Sequence, residues 1–491
     1  MAKKAAGAKP SHWMILVLLA LAQFMVVLDV SIVNVALPAI QTAFHMSQEN
    51  LQWIVTAYTL TFGGFLLLGG RAADLFGRRK VFLIGITLFT IASLADGLAQ
   101  SGGMIIVFRA LQGLAAAFMS PAALSIVLVT YREGHERNVA LSVWGAVAAG
   151  GAAVGVLLGG ILTQYLDWRW NFFVNVPVGI ALVAACWRWL DKHETDIDHN
   201  NLDLPGAILA TSGLMLLVYT FVKAPLIGWT DPASLIRFAA SFALIAGFIW
   251  NEKRAKHPLM PLHIFKIRNL SGANAMQLFM TASMFSVFFF ITLYMQQVLG
   301  FNPVKTGLSF LIMPITIAVV ATNVPRLVQK IGYRPILVVA PLIVASGLFY
   351  LSHIPVEGNF WIHVAPGMFL MALGMGATFV SVTIAATSGV PHHESGLASG
   401  ILNTAQQVGG SLGLAILTGI ATSATASYVK DLGHAPSSHD IAAASVQGYH
   451  DGFLIATGFA IIASLISFFV IQQQKAKSDP SHGEPVIVAG H

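Results

Sequence analysis

The sequence predicts an all-α membrane protein: two six-helix bundles with two transmembrane helices inserted between them, fourteen spans in all. Three observations predict this. Of 491 residues, 56% are hydrophobic and only 10% are charged, whereas soluble domains carry about 25% charged residues; the mean hydropathy is +0.74. Fourteen apolar runs follow one another, and a helix needs about 20 apolar residues to cross a bilayer. The basic residues alternate between the loops of the two faces, as expected when positive loops stay inside.

The runs cover about 13–40, 51–70, 81–99, 104–127, 139–163, 171–190, 203–222, 234–251, 270–298, 304–324, 335–353, 361–388, 396–424 and 452–473. With the N-terminus inside, the cytoplasmic segments and the span ends beside them hold 21 of the 27 Lys and Arg residues. The outer loops and their span ends hold Arg169, Lys223, Arg237, Lys305 and Lys430, and Arg109 falls within a span. The chain is therefore expected to be integral to the inner or plasma membrane, with both termini cytoplasmic. Lys3, Lys4 and Lys9 precede the first run. That run is longer than the roughly 7–15 residues of a signal core, so no cleavable leader is expected. The single cysteine, Cys186, leaves no intrachain disulfide framework. The net charge of +6 follows from the loop bias and does not point to nucleic acid.

A weak internal repeat divides the chain. The loop after the second span has Arg71, Gly77 and Arg79; the loop after the tenth has Arg326, Gly332 and Arg334. Both read Arg-x5-Gly-x-Arg. The expected domains are an N-terminal bundle at 1–190, a linker and inserted pair at 191–252, a C-terminal bundle at 253–473, and a cytoplasmic tail at 474–491. Repeats of this kind are typical of secondary transporters, which place their site at the midplane between the halves. The inserted spans hold few polar groups, which fits lipid-facing packing at the periphery.

Residues 69–80, Gly-Gly-Arg-Ala-Ala-Asp-Leu-Phe-Gly-Arg-Arg-Lys, form a short basic stretch between two spans. Gly70 can end a helix, Asp74 can accept hydrogen bonds from backbone N–H groups or an arginine, and Gly77 permits a tight turn. Arg78, Arg79 and Lys80 then face headgroups and cytosol. Charge alone allows an ordinary positive loop; the residue order suggests more.

These residues resemble the major facilitator superfamily, specifically its fourteen-span drug:proton antiporters (multidrug efflux transporters). Gly70–Lys80 is similar to the signature loop after the second helix, Gly-x3-Asp-basic-x-Gly-Arg-basic, with Leu75 at a usually basic position. Leu28-Asp29-Val30-Ser31-Ile32-Val33-Asn34-Val35-Ala36-Leu37-Pro38 is similar to the family's first-helix motif. Arg109-Ala-Leu-Gln112-Gly113 resembles the fourth-helix motif. Gly151-Ala-Ala-Val-Gly155-Val-Leu-Leu-Gly159-Gly160 resembles the antiporter motif, with Val156 in place of its proline. Arg169-Trp170, Asn175 and Pro177 are similar to the start of the family's sixth helix. The resemblance implies the major facilitator fold and transport by alternating access. It makes the Gly70, Asp74, Gly77, Arg78 and Arg79 stretch a cytoplasmic gating loop, and gives proton coupling to Asp29 with Arg109 beside it.

The residues themselves argue for the same places. Asp29 lies about seventeen residues into the first span. An aspartate at that depth costs about 2.5–3.5 kcal/mol on insertion scales, so it needs a partner, water or a function. Burial disfavours a carboxyl's charged form, which brings proton uptake within reach; the alternative is a structural ion pair. Arg109, Gln112 and Gly113 share one helix face. Arginine does not deprotonate in proteins, so it can tune or hold an acid but not carry the proton. Asp96, near the outer end of the third span, is a possible outer-mouth acid, either drawing cations and relaying protons or merely solvated. Gly151, Gly155 and Gly159 form a stripe at i, i+4, i+8 that lets another helix come close. Gly396 with Gly400, and Gly409 with Gly413, suggest the same near the thirteenth span.

Candidate substrate-cavity residues are Asn34, Gln112, Asn274, Gln277, Tyr294, Asn403 and Gln406, because polar groups at membrane depth should face inward. Gln296 and Gln407 belong to the same class. Met276, Met280 and Met284 with Phe285, Phe288 and Phe289 suit either an apolar pocket or plain packing. Between Glu252 and Glu394 the only carboxylate is Glu357, in an outer loop, so the second half offers a cation no buried charge. No histidine falls at mid-span, and neither a metal-ligand cluster nor a nucleophile–base pair is apparent. Gly300–Thr306 lacks the second glycine of a phosphate loop, so no ATP site, cofactor or metal is expected. The partners expected are small molecules, protons and the lipid bilayer. The expected function is proton-coupled export of lipophilic neutral or monocationic molecules, and not an enzymatic reaction. A dedicated metabolite exporter or a symporter on the same fold is the alternative.

Overall fold

A computed structural model describes residues 12–131, 135–190, 203–391, 394–473, 476–478 and 485–487. The first bundle contains α1 (His12–Phe44), α2 (Gln48–Phe76), α3 (Arg78–Gly97), α4 (Gly102–Thr130) and α5 (His135–Tyr165). The single turn α6 (Trp170–Phe173) leads into its last helix, α7 (Asn175–Trp189). The pair α8 (Leu204–Ile227) and α9 (Pro232–Arg254) follows. The second bundle begins with α10 (Arg268–Leu293) and continues through α11 (Pro303–Phe310) and α12 (Ile312–Ile331), which make one span. It closes with α13 (Tyr333–Leu351), α14 (Ala365–Thr387), α15 (Ser395–Asp431) and α16 (Ser438–Phe469). Among the described residues, thirteen helical stretches are long and apolar enough to cross a membrane, and Gly150–Tyr165 in α5 is a shorter apolar helix. The linker expected at Asp191–Asp203 and most of the tail lie outside the described residues.

α1 starts at one face of the molecule and the α1–α2 turn at Ser47 lies at the other; α2 returns to the first face at Gly77. Gly77 (φ 94°) breaks α2 from α3 in a single residue, and Gly332 (φ 83°) does the same between α12 and α13. Glycine is favoured at both because a Cβ is strained at such a φ. These are the two glycines of the sequence repeat. The repeat extends to their arginines. Arg79 Nη2 donates to the Trp187 carbonyl at 2.5 Å, tying α3 to the end of α7. Arg334 Nη2 donates to the Phe468 carbonyl at 2.8 Å, tying α13 to the end of α16.

Three expectations are corrected. Gly70 does not end a helix: α2 runs on to Phe76, and the stretch read as a loop is helix on both sides of Gly77. α15 continues to Asp431 and α16 begins at Ser438 instead of 452. The extra turns are polar (His439, Asp440, Gln447, His450 and Asp451), so a reading by apolar runs passed over them. Ser437 and Asp440 form a reciprocal capping box that starts the helix there. His450, outside every expected span, thus sits in α16 and bonds the Ile354 carbonyl through Nε2 at 2.7 Å.

The third correction concerns the inserted pair. α9 is largely exposed, but α8 lies on the seam between the bundles. Leu60 of α2, Val218 and Val222 of α8 and Ala415 of α15 form one small buried cluster. Lys223 of α8 also pairs with Glu49 of α2 at 3.5 Å. Only half of the pair is peripheral.

Hydrogen bonds join the bundles directly at mid-depth and toward the Ser47 face. Thr59 and Ser411 share one at 2.7 Å. Gln296 Nε2 donates to the Val35 carbonyl at 2.9 Å, Gln297 Nε2 to Gln41 Oε1 at 2.7 Å, and Val304 N to Gln164 Oε1 at 3.1 Å. Beside the last, a Cβ on Gly160 would meet the Pro303 carbonyl oxygen at 2.5 Å, so the α5 and α11 backbones nearly touch. Among the described residues, the Ser47 face is therefore the tightly joined one.

Candidate functional site

The first bundle is built around a buried charge. Asp29 lies near the middle of α1 and is fully buried; Arg109 of α4 is 1% exposed. Arg109 Nη1 donates to Asp29 Oδ2 at 2.5 Å. The same nitrogen reaches Gln112 Oε1 at 2.5 Å, and Nε donates to the Ile54 carbonyl of α2 at 3.1 Å. Asp29 Oδ1 accepts from Gln112 Nε2 at 2.8 Å and from Asn175 Nδ2 of α7 at 2.9 Å. Asn175 Nδ2 also donates to Ser93 Oγ of α3 at 3.1 Å, and Ser93 in turn to the Phe172 carbonyl at 2.9 Å. The guanidinium carbon stands 4.3 Å from the centroid of the Tyr58 ring and 6.0 Å from that of Phe172. Five helices and the α6 turn therefore enclose one ion pair.

This geometry explains how α1 tolerates a charge at that depth. Both Asp29 oxygens accept hydrogen bonds and the guanidinium also has an aromatic face beside it, which offsets desolvation. Removing one partner of such a pair costs about 3–5 kcal/mol, because the other charge stays buried and uncompensated. Gaining or losing a proton on Asp29 therefore changes the energy of the whole bundle.

The glycine stripe packs on the same turn of α1. A Cβ on Gly155 would come within 2.7 Å of Ser31 Cβ and 2.9 Å of the Leu28 carbonyl oxygen; on Gly159 it would come within 2.7 Å of the Ile32 carbonyl oxygen. At Gly151 the nearest atoms are at 3.3 Å. Gly155 and Gly159 thus let α5 lie on the segment that carries Asp29. The second bundle repeats the device: Gly409 and Gly413 of α15 lie against α10 at Leu278 and Ala282. Gly400 instead approaches Leu67 of α2 at 3.0 Å, and nothing lies near a Cβ at Gly396.

The remaining candidates divide. Asp96 is not an acid at an open mouth. It is fully buried in the last turn of α3, and neither carboxyl oxygen has a hydrogen-bond partner. Gln112 belongs to the Asp29 network and not to a cavity wall. Tyr294 is fully buried, and its hydroxyl donates to the Pro355 carbonyl at 2.6 Å, so it is a packing residue. Asn34 donates to the Val30 carbonyl of its own helix at 2.8 Å. Asn274 and Gln277 are buried, and each keeps an amide oxygen without a partner. Asn403 is exposed and Gln406 half-buried. Met276 and Met280 are core residues in the same large apolar cluster as Phe289 and Phe290. In the basic stretch, Asp74 pairs with Arg78 at 3.3 Å on the surface, and Gly70 has only ordinary contact with Pro121. No group of three metal-ligating side chains occurs among the described residues.

Tyr58, Ser93 and Asn175 complete the site, although the sequence reading gave them no role there. Asn175 carried a signal, being an amide inside an apolar span; Tyr58 and Ser93 are ordinary in helices and carried none.

Residues 19–414 match the Major Facilitator Superfamily. The chain belongs to that family. It is an integral membrane transporter and not an enzyme. It is 38% identical to the puromycin resistance protein pur8 of Streptomyces alboniger over 490 residues, covering 98% of this chain and 96% of that one. It is 37% identical to the cephamycin export protein CmcT of Amycolatopsis lactamdurans, over 85% of this chain and 86% of that one. It is 33% identical to the multidrug resistance protein Stp of Mycobacterium tuberculosis, over 80% of this chain and 73% of that one. Among solved structures, a bacterial homologue of the human lysosomal transporter Spinster superposes with a TM-score of 0.68 at 14% identity, covering 94% of this chain and 97% of that one. That likeness establishes the major facilitator fold.

Proposed function

We propose that this transporter is a proton-coupled antiporter that exports lipophilic neutral or monocationic molecules, with Asp29 as the proton carrier and Arg109 as its counter-ion. The observation that carries the reading is the fully buried Asp29–Arg109 pair at the centre of the first bundle. The relatives named for resistance to or export of puromycin and cephamycin support the direction of transport.

In this reading the Gly77 face is cytoplasmic, as its basic stretch requires, and the tightly joined Ser47 face is external. The arrangement described is then closed to the outside. Protonation of Asp29 removes the negative charge that holds Arg109 and loosens the contact between α1 and α4. That shifts the balance between two packings of the bundles, which rock about a central site. One proton moving down 100 mV supplies about 2.3 kcal/mol, comparable to the cost of disturbing the pair. The second bundle has no counterpart charge at its centre, so dications are poor substrates.

A dedicated exporter of one metabolite is the second reading, favoured because two of the relatives are each named for one compound. The test is dye efflux from pump-deficient bacteria carrying the wild type or Asp29→Asn, with and without a protonophore. Loss of efflux in the mutant and in uncoupled wild type supports the proposal. A well-expressed wild type that moves no dye from a broad panel supports the dedicated exporter, and efficient efflux of a dication refutes the substrate class.

A further inference from the structure

Among the described residues of the first bundle, three charged side chains are fully buried: Asp29, Asp96 and Arg109. Two buried carboxyls therefore stand against one buried guanidinium. The pairing is unequal. Asp29 takes the ion pair and accepts from Gln112 and Asn175, whereas both oxygens of Asp96 lack a partner. Asp96 also sits in the last turn of α3, where the helix dipole opposes negative charge. It is nevertheless within electrostatic range of both Arg109 and Asp29. One turn before it, Ser93 accepts from Asn175, the residue that also holds Asp29. The α6 turn covers this end of α3: a Cβ on Gly97 would run into the Phe173 ring, and Ser93 donates to the Phe172 carbonyl.

The groups facing the cluster from each packed element supply no second cation. α1 brings Asp29, α2 brings the Tyr58 hydroxyl, α4 brings Arg109 and Gln112, and α7 brings Asn175. Arg169, in the turn before α6, reaches the Ala99 carbonyl at 3.3 Å but is about one-third exposed and lies 3.6 Å from Asp167. An isolated charge in such surroundings is costly, and one neutral carboxyl balances the cluster.

We propose that Asp29 and Asp96 hold one proton between them, and that Asp96 is the standby counter-ion of Arg109. In the arrangement described, Asp96 carries the proton and Asp29 is ionised against Arg109. In the alternative, the O–H bond on Asp96 is broken, one is formed on Asp29, and Arg109, charged throughout, turns to Asp96. The buried site stays neutral in both states, so Asp29 can be neutralised without stranding the guanidinium. This rests on the transport reading for its purpose, but the charge balance does not depend on it.

The test is infrared difference spectroscopy of the purified full-length protein, reading the carbonyl stretch of a protonated buried carboxyl by its shift in D2O. The background is Glu252→Gln, which removes a buried acid elsewhere in the fold. The parent is expected to show the band and Asp96→Asn to lose it; Asp96→Ser serves if the amide variant does not fold. Asp29→Asn is expected to lose the band as well, because Asp96 then ionises against the freed Arg109. A parent without the band overturns the proposal. So does an Asp29→Asn protein that keeps it, since Asp96 is then a plain neutral acid that never serves Arg109. Dye efflux by the same proteins separates the two claims. A parent that shows the spectral pattern but moves no substrate contradicts the transport reading and leaves the shared proton standing.

Discussion

The two bundles share a plan and differ at the centre. Each breaks one helix pair with a single left-handed glycine, Gly77 or Gly332, and each ties the next helix to the end of its last through an arginine. Each lays its fifth helix on its first through glycines. Yet the first bundle encloses Asp29, Arg109 and Asp96, whereas the second fills its interior with Met276, Met280, Phe289, Phe290, Tyr449 and Phe453. Phe290 packs against the Tyr449 ring at 5.5 Å and the Phe453 ring at 5.7 Å. The difference teaches a division of labour. A core of methionine and aromatic rings with no buried charge does not respond to protons. A core that encloses a salt bridge changes its energy when one proton arrives. In the transport reading, the first bundle senses the ion and the second supplies a proton-insensitive wall.

The comparison is broken most forcefully at the ion pair. Arg109→Ala strands Asp29 and is expected to cost about 3–5 kcal/mol of stability, read as a fall in thermal midpoint and yield in detergent. The double variant Asp29→Asn, Arg109→Gln removes both charges and should recover most of that stability while remaining unable to drive efflux. If the double variant is no more stable than Arg109→Ala, the pair is not the main source of the loss. In the second bundle, Phe290→Ala should also cost about 3–5 kcal/mol, through a cavity. Here the residual efflux should stay fully sensitive to a protonophore, since no coupling group is touched. Efflux that becomes protonophore-resistant would contradict the division of labour.

Smaller changes sharpen the picture. Gly155→Ala forces a methyl against Ser31 and the Leu28 carbonyl and should cost about 1–3 kcal/mol by overpacking, with most efflux lost because the Asp29 turn is displaced. Gly151→Ala, with neighbours at 3.3 Å, should pump nearly as the wild type does. Equal loss in both would mean that the stripe acts as generic packing and not through α1. The smallest effect belongs to the surface. Asp74→Asn breaks an exposed pair with Arg78 and should change stability by less than about 1 kcal/mol. A large loss of transport there would assign the stretch a gating role that its folded contacts do not account for.

Much of this was legible in the sequence, for physical reasons. Asp29 and Arg109 stood out because charges are rare inside apolar runs, and the structure brings them together. The apolar runs gave the spans, and the alternation of basic loops agreed with their number. The glycine stripe was readable because its spacing has one mechanical meaning, although the partner helix was not. What was hidden depended on contacts between distant segments. Asp96 lies one residue from the end of its helix, where sequence position suggests solvent; it is buried because the α6 turn folds over it. α8 looks like any apolar span, and only packing puts it on the seam beside Leu60 and Ala415. The first turns of α16 are polar, so hydropathy missed them, although Ser437 followed by Asp440 is a readable helix start.

The most direct test of the central claim is proton-driven uptake by purified protein in liposomes with an acidic interior, using a permanently charged monocationic dye and protein-free vesicles as the blank. The account predicts that wild type accumulates the dye until a protonophore is added, and that Asp29→Asn binds the dye but accumulates none. Accumulation by Asp29→Asn at the wild-type rate would contradict it, because the coupling proton would then be carried elsewhere.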